Sequence, residues 1–286
     1  MCSARDIRAK GVEICPKSIE GRQKCQVLWE LKPVFSCLIR CFSRKLPRLH
    51  VQKGRAKLTM TISLRNLAFT WNPSSSKRLL EIETFQLKKG EKVLVRGQSG
   101  SGKSTLLNLI GGLLLPQAGQ IQVLDTEINS LPASARDQFR SDHMGFIFQI
   151  FNLIPYLNVL ENVLLPLSFS KHKRAKLKDP HAEARRLLKA LGLENLETQS
   201  VQKLSVGQQQ RVAVARALIG SPEIVIADEP SSALDAETRK EFLNLLFQEC
   251  ERSGSSLLYV SHDPGLDSLF DRSVPIQSLS KQGAQA

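Results

Sequence analysis

The sequence predicts an α/β fold: a mostly parallel sheet with helices on both faces, joined to an antiparallel β subdomain and a helical insertion. Three observations predict it. Short apolar strands recur at 92–96, 145–148, 224–227 and 256–260, separated by helical stretches, as in parallel sheets covered on both faces. Residues 60–67 and 79–87 instead alternate apolar and polar side chains (Ile62, Leu64; Leu80, Ile82), the period of half-buried antiparallel strands. No strand is legible across 158–218, and Asp179-Pro180 there reads as the N-cap and first-turn proline of a helix.

In chain order, the first two strands are separated by a turn at 72–76, marked by its Asn-Pro-Ser-Ser content. The run 92–96 enters a glycine-rich loop, and 104–115 follows as a helix. The helical insertion occupies about 150–218. No internal repeat is visible, so 60–280 reads as one domain, preceded by an extension at 1–59 and followed by a tail at 281–286.

Composition narrows the function classes. The 286 residues are 42% hydrophobic and 23% charged, a balance that excludes a disordered, collagenous or disulfide-stapled chain. No run reaches the roughly 18 apolar residues of a membrane-spanning helix, and residues 1–11 lack the apolar core of a secretory signal. The net charge of +13 is local: residues 1–59 hold 14 Lys/Arg against 4 Asp/Glu. Cys2, Cys15, Cys25, Cys37 and Cys41 share that stretch, without the paired CxxC spacing of a zinc site, and only Cys250 lies beyond it. Three readings of the extension stand. It is a misassigned upstream start with Met60 the initiator, or a disordered basic tail drawn to anionic lipid around 34–42, or a nucleic-acid contact, for which aromatic residues are sparse.

The chemistry begins at Gly97-Gln98-Ser99-Gly100-Ser101-Gly102-Lys103-Ser104-Thr105, which fits GxxxxGK[ST] with a strand before it and a helix after it. Its glycines let successive backbone amides point at phosphate oxygens, and the helix start adds partial positive charge. Lys103 is the expected cation on the β and γ phosphates, and the Ser104 hydroxyl an expected magnesium ligand. The strand at 224–227 ends in Asp228-Glu229. Asp228 is placed to hold magnesium directly or through water, and Glu229 to act as the general base on the attacking water.

Leu204-Ser205-Val206-Gly207-Gln208, continuing Gln-Gln-Arg-Val-Ala-Val-Ala-Arg-Ala-Leu218, resembles the signature motif of ABC-type ATPases. The other motifs stand in that family's order. Gln149 matches the Q-loop glutamine, Ser232-Ala-Leu-Asp235 the D-loop, and His262 in Tyr-Val-Ser-His-Asp the switch histidine. The resemblance covers about 60–280 and implies a P-loop NTPase core, with ATP and Mg2+ as its ligands. It implies that Gln149 senses magnesium and the transport partner, and that His262 bonds the γ phosphate. Trp71 fits the aromatic A-loop residue that stacks on adenine, with Phe69 as the competitor. Ser205 and Gln208 also form a capping-box pattern, so Ser205 and the Gly207 amide sit at a helix N-terminus suited to an anion. A second anion site implies a second nucleotide, and the family's solution is a head-to-tail homodimer with two equivalent sites.

Two departures stand out. Val206 occupies a usual glycine position and adds bulk near the bound phosphate, which bears on nucleotide affinity or dimer closure; Ser231 replaces a common threonine and keeps the hydroxyl. The stretch 146–166 is similar to the subfamily serving lipoprotein release, macrolide export and cell division. That likeness implies a separate membrane permease as partner, docking on the apolar cluster 150–157, which in part also belongs to the core. Membrane contact would come through the permease, at the cytoplasmic face of the inner membrane, with no nucleic-acid partner. The alternatives are a soluble ABC-type ATPase acting on DNA or ribosomes, and a permease-coupled signalling ATPase. The span between Ser104 and Leu204 is too short for the very long coiled coil of the DNA-repair type.

Overall fold

The computed structural model describes residues 60–72, 78–232 and 234–279. The extension at 1–59, most of the turn expected at 72–76, and the tail lie outside the described residues.

Strands β1 (Met60–Phe69), β2 (Leu80–Lys88), β4 (Ala118–Val123) and β5 (Thr126–Glu127) form an antiparallel sheet in the order β2-β1-β4-β5. Strands β3 (Lys92–Arg96), β6 (Met144–Ile147), β7 (Ile224–Asp228), β8 (Ser256–Ser261) and β9 (Arg272–Pro275) form a second sheet in the order β6-β7-β8-β3-β9. Every pairing in that sheet is parallel. Val93–Val95 and the strand residues Ile224, Val225, Ile226 and Ala227 are buried, which explains their unbroken apolar runs.

Helix α1 (Lys103–Ile110) lies in one apolar cluster with both sheets, burying Leu106, Leu107, Leu109 and Ile110 among Ile62, Leu64, Ile121, Val93 and Val260. Each such side chain contributes about 1.5–3 kcal/mol, so the loop entering α1 has a rigid base. The helix stops at Ile110, short of the expected residue 115. Gly112 adopts φ 68, and the Leu113 and Leu114 amides turn back to Asn108 O, a glycine-dependent helix ending.

Helix α2 (Ala133–His143) leads into β6. The insertion then carries α3 (Val159–Leu164), α4 (Lys171–Ala175), α5 (Pro180–Ala190) and α6 (Val206–Leu218). As the sequence predicts, Asp179 caps α5, accepting from the His181 and Ala182 amides at 2.9 and 3.1 Å. The insertion shares a second core cluster with the outer face of the parallel sheet and with α7 (Ala236–Ser253), through Leu187, Val212, Val225, Leu243 and Tyr259. A last short helix, α8 (Ile276–Leu279), follows β9. Strands β4, β5 and β9 and helix α2 are additional to the sequence reading. In β4 only Ile121 and Val123 are buried, too short an alternation to stand out, and β9 is a polar edge strand. Among the described residues, no helix is long and apolar enough to cross a membrane.

Candidate functional site

Parallel strands deliver their carboxyl ends to one edge, where α/β sheets bind ligands. Here the sheet order brings together the loop after β3 (Gly97–Gly102), Gln149 beyond β6, Asp228 and Glu229 at the end of β7, and His262 just after β8.

The loop after β3 is held by its glycines. Gly102, the residue before α1, has φ 93, and a Cβ there would meet the Leu80 side chain at 2.8 Å. Gln98, Ser99 and Gly100 are exposed, while Thr105 is buried beneath the loop. Lys103, the first residue of α1, is only 5% exposed and turns back over its own loop. Its Nζ donates to Gly97 O at 2.8 Å and Gln98 O at 2.9 Å, and lies 3.1 Å from Glu229 Oε1.

Glu229 joins the ends of β7 and β8 to the start of α1. Its amide donates to Val260 O at 3.0 Å, and His262 Nδ1 lies 2.9 Å from Oε2. A carboxylate paired with lysine accepts hydrogen bonds, so Nδ1 carries the imidazole proton. Glu229 also adopts φ 44, a left-handed conformation that costs a non-glycine residue about 1–3 kcal/mol. The surrounding bonds hold this strained residue, and such strain gathers at functional positions. Asp228 is hydrogen-bonded to Ser104; burial pushes its carboxyl above the usual range, helped by the Glu229 charge and opposed by Ser104 and Lys103. The Ser104 hydroxyl and the Asp228 carboxyl offer oxygen donors side by side, which fits a hard divalent cation such as Mg2+, while Gln149 is exposed two residues beyond β6.

The signature segment forms the helix start the sequence predicts. Ser205 Oγ accepts from the Gln208 amide at 3.3 Å, and Gln208 Oε1 accepts from the Ser205 amide at 2.9 Å. Ser205 and Val206 are exposed, and a Cβ on Gly207 would meet nothing within 4 Å. Asp235 caps α7 through the Thr238 amide at 3.0 Å, and that bond first of all holds its carboxyl below the usual range.

Phe69 is 5% exposed and sits in the core, whereas Trp71 is 63% exposed and packs edge-on against it at 5.2 Å. The cluster after Gln149 divides as the sequence anticipates. Ile154 is buried and Phe151 and Leu153 pack on the core, while Ile150 and Tyr156 are exposed. Beside them lies a groove of about 320 Å³ lined by Ile150, Phe151, Leu153, Pro155, Val201 and Gln209.

Three positioning contacts escaped the sequence reading. Arg216 of α6 is buried and donates to Phe151 O and Asn152 O, each at 2.6 Å, holding the segment after Gln149; burial pulls its guanidinium down to about 10. Gln210, also on α6, donates to Pro230 O behind Glu229. Ser231, which looked like a neutral exchange, bonds the buried Tyr259 hydroxyl at 2.6 Å. Arg216 lay in the helix motif itself, but its carbonyl partners are far away in sequence.

Comparisons with known proteins agree with this geometry. The ABC transporter family profile matches residues 80–232. An ABC transporter ATP-binding protein of Mycobacterium tuberculosis is 40% identical over 217 residues, 76% of this chain and 86% of its own. The lipoprotein-releasing system ATP-binding protein LolD of Cytophaga hutchinsonii is 42% identical, over 68% of this chain and 87% of its own. The ABC transporter ATP-binding protein YtrE of Bacillus subtilis is also 42% identical, over 67% and 81%. Among solved structures, the chain is similar to the dimeric ABC transporter cassette MJ0796. That match has a TM-score of 0.65 and 37% identity, over 75% of this chain and 93% of that one. The same cassette in a post-hydrolysis state with ADP and Pi matches equally.

Proposed function

The chain belongs to the ABC transporter ATP-binding proteins, and on that premise we propose that two copies close head-to-tail on ATP and drive a separate membrane permease. It is an ATPase that binds ATP on a P-loop core. The observation that carries the two-copy reading is the contrast between the two helix starts. The start of α1 faces Lys103, Glu229 and Asp228 of its own chain, whereas Ser205 and Val206 at the start of α6 face solvent. A similar cassette is described as a dimer, which agrees with this reading.

In this proposal the loop from Gly97 to Thr105 wraps the phosphates, and Lys103 exchanges its loop carbonyls for phosphate oxygens. Magnesium would be held by Ser104 and Asp228 with Gln149 nearby, and when bound it neutralises charge on the phosphates. Freed from Lys103, Glu229 takes a proton from the attacking water, and His262 orients Glu229 and contacts the γ phosphate. Trp71 stacks on the adenine. Ser205, Gly207 and Gln208 meet the partner copy's nucleotide, with Asp235 at the dimer seam. Ile150 and Tyr156, beside the groove anchored by Arg216, offer the permease an apolar seat. On this reading the domain at 60–280 works at the inner face of the membrane, bound through the permease.

The test uses Glu229→Gln. This variant is expected to bind ATP normally, hydrolyse it on the order of 10²–10⁴-fold more slowly and accumulate as a dimer with ATP and magnesium. Tagged, expressed in its native cell and recovered from solubilised membranes with ATP, it is expected to carry a polytopic protein in near-equal amount. Recovery with ribosomes or nucleic acid from the soluble fraction would overturn the permease reading; a chain that stayed monomeric at saturating ATP would overturn the two-site reading.

A further inference from the structure

At the opposite end of β7 from Asp228, three side chains from three elements converge. His143 is the last residue of α2, His172 lies on α4, and Glu223 immediately precedes β7. His143 Nδ1 stands 3.1 Å from Glu223 Oε2, and His172 Nε2 stands 3.7 Å from Oε1. One donor atom from each lies within 4.8 Å of the others, the one such group of three among the described residues. The two imidazole rings sit 4.9 Å apart, and His143 is braced on Phe139 at 4.6 Å.

We infer that His143, His172 and Glu223 form a binding site for a divalent transition-metal ion of the zinc class. Ligand bonds of about 2.0–2.1 Å in a tetrahedral shell put donor atoms roughly 3.3 Å apart. The His143–Glu223 spacing of 3.1 Å already meets that, and His172, with 44% of its side chain exposed, is free to turn the remaining distance. Two imidazole nitrogens and one carboxylate select zinc, cobalt or nickel over magnesium or calcium, with water in the fourth position. Two occupants compete for the carboxylate: the proton of the His143 Nδ1–Glu223 Oε2 hydrogen bond at 3.1 Å, and Lys176, whose Nζ lies 2.9 Å from Glu223 Oε1. On yielding the carboxylate Lys176 keeps its second acceptor, Ser221 O at 3.1 Å. The neighbouring Lys173 donates to Met144 O at 2.7 Å, and its charge faces both Asp142 and Glu223. Four strand residues, 224–227, at about 3.3 Å rise each separate Glu223 from Asp228, so the cluster is distinct from the nucleotide site. A bound ion would pin α4 of the insertion to the end of α2, which runs directly into β6, and to the root of β7.

The test uses the full chain with Cys2, Cys15, Cys25, Cys37 and Cys41 replaced by serine, so that thiols do not compete. After chelator treatment, and with magnesium saturating the hard-cation site, Co2+ is titrated by visible absorption and Zn2+ by calorimetry. The expected result is one ion per chain, with a thermal midpoint that rises on Zn2+ addition. His172→Ala is expected to weaken binding at least about tenfold, and the His143→Ala/His172→Ala double variant to abolish both binding and the thermal shift. His172→Gln, at a half-exposed position, carries the test if the double variant does not fold. No binding by the parent, or unchanged affinity in His172→Ala and His172→Gln, would overturn the proposal.

Discussion

The chain builds two helix starts suited to a phosphate, at α1 and at α6, and furnishes them oppositely. Gly102 before α1 has no side chain to spend on capping, and the loop's exposed residues stand over a buried lysine and two carboxyls. At α6 the capping box uses the Ser205 and Gln208 amides within the turn, and the outward face carries Val206 at 52% exposure. The α1 turn has a buried lysine and two carboxyls of its own chain behind it, whereas the α6 turn leaves Ser205 and Val206 exposed.

Three substitutions sharpen or break this comparison. Lys103→Ala removes the buried cation and leaves Glu229 with His262 alone, so nucleotide affinity is expected to collapse and hydrolysis to fall at least on the order of 10²–10³-fold. Fluorescent-nucleotide binding and phosphate release measure both. Ser205→Ala is expected to leave ATP affinity of the dilute monomer within about twofold, because the α1 site is intact, yet lower turnover about tenfold or more. Its lost cap costs about 0.5–2 kcal/mol of stability, which a denaturant midpoint registers. Equal loss of monomer affinity in Ser205→Ala and Lys103→Ala would place both turns on one nucleotide and collapse the contrast. Smallest is Val206→Gly. Glycine in a helix costs about 1 kcal/mol, and Val206 is exposed, so turnover is expected to change less than about threefold in steady-state assays. A large gain would show that the valine obstructs closure.

Much of the site was legible because its groups are neighbours in the chain. The Gly97–Thr105 loop, the Ser205–Gln208 box, the Asp179 cap and the Asp228-Glu229 pair each lie within a few residues, so their pattern shows in the chain itself. Trp71 against Phe69 was open on pattern alone and divides by burial, since Phe69 alternates into the β1 core while Trp71 lies past its end. The expected helix runs through Gly112, whose left-handed backbone ends α1 at Ile110.

By itself, then, the sequence determined the kind of chemistry: a phosphate-wrapping loop, an acid pair after a buried strand and a capped signature turn, all encoded by contiguous residues with local conformational preferences. Only the tertiary structure decided which groups meet. Lys103, Glu229 and His262 lie on three different elements and touch because β3, β7 and β8 end at the same edge of one parallel sheet. Arg216 reaches Phe151 and Asn152, and His143 and His172 reach Glu223 at the opposite end of β7, through the packing of helices on the sheet. Strand order and helix packing bring together residues remote in sequence, and local spacing carries no record of that.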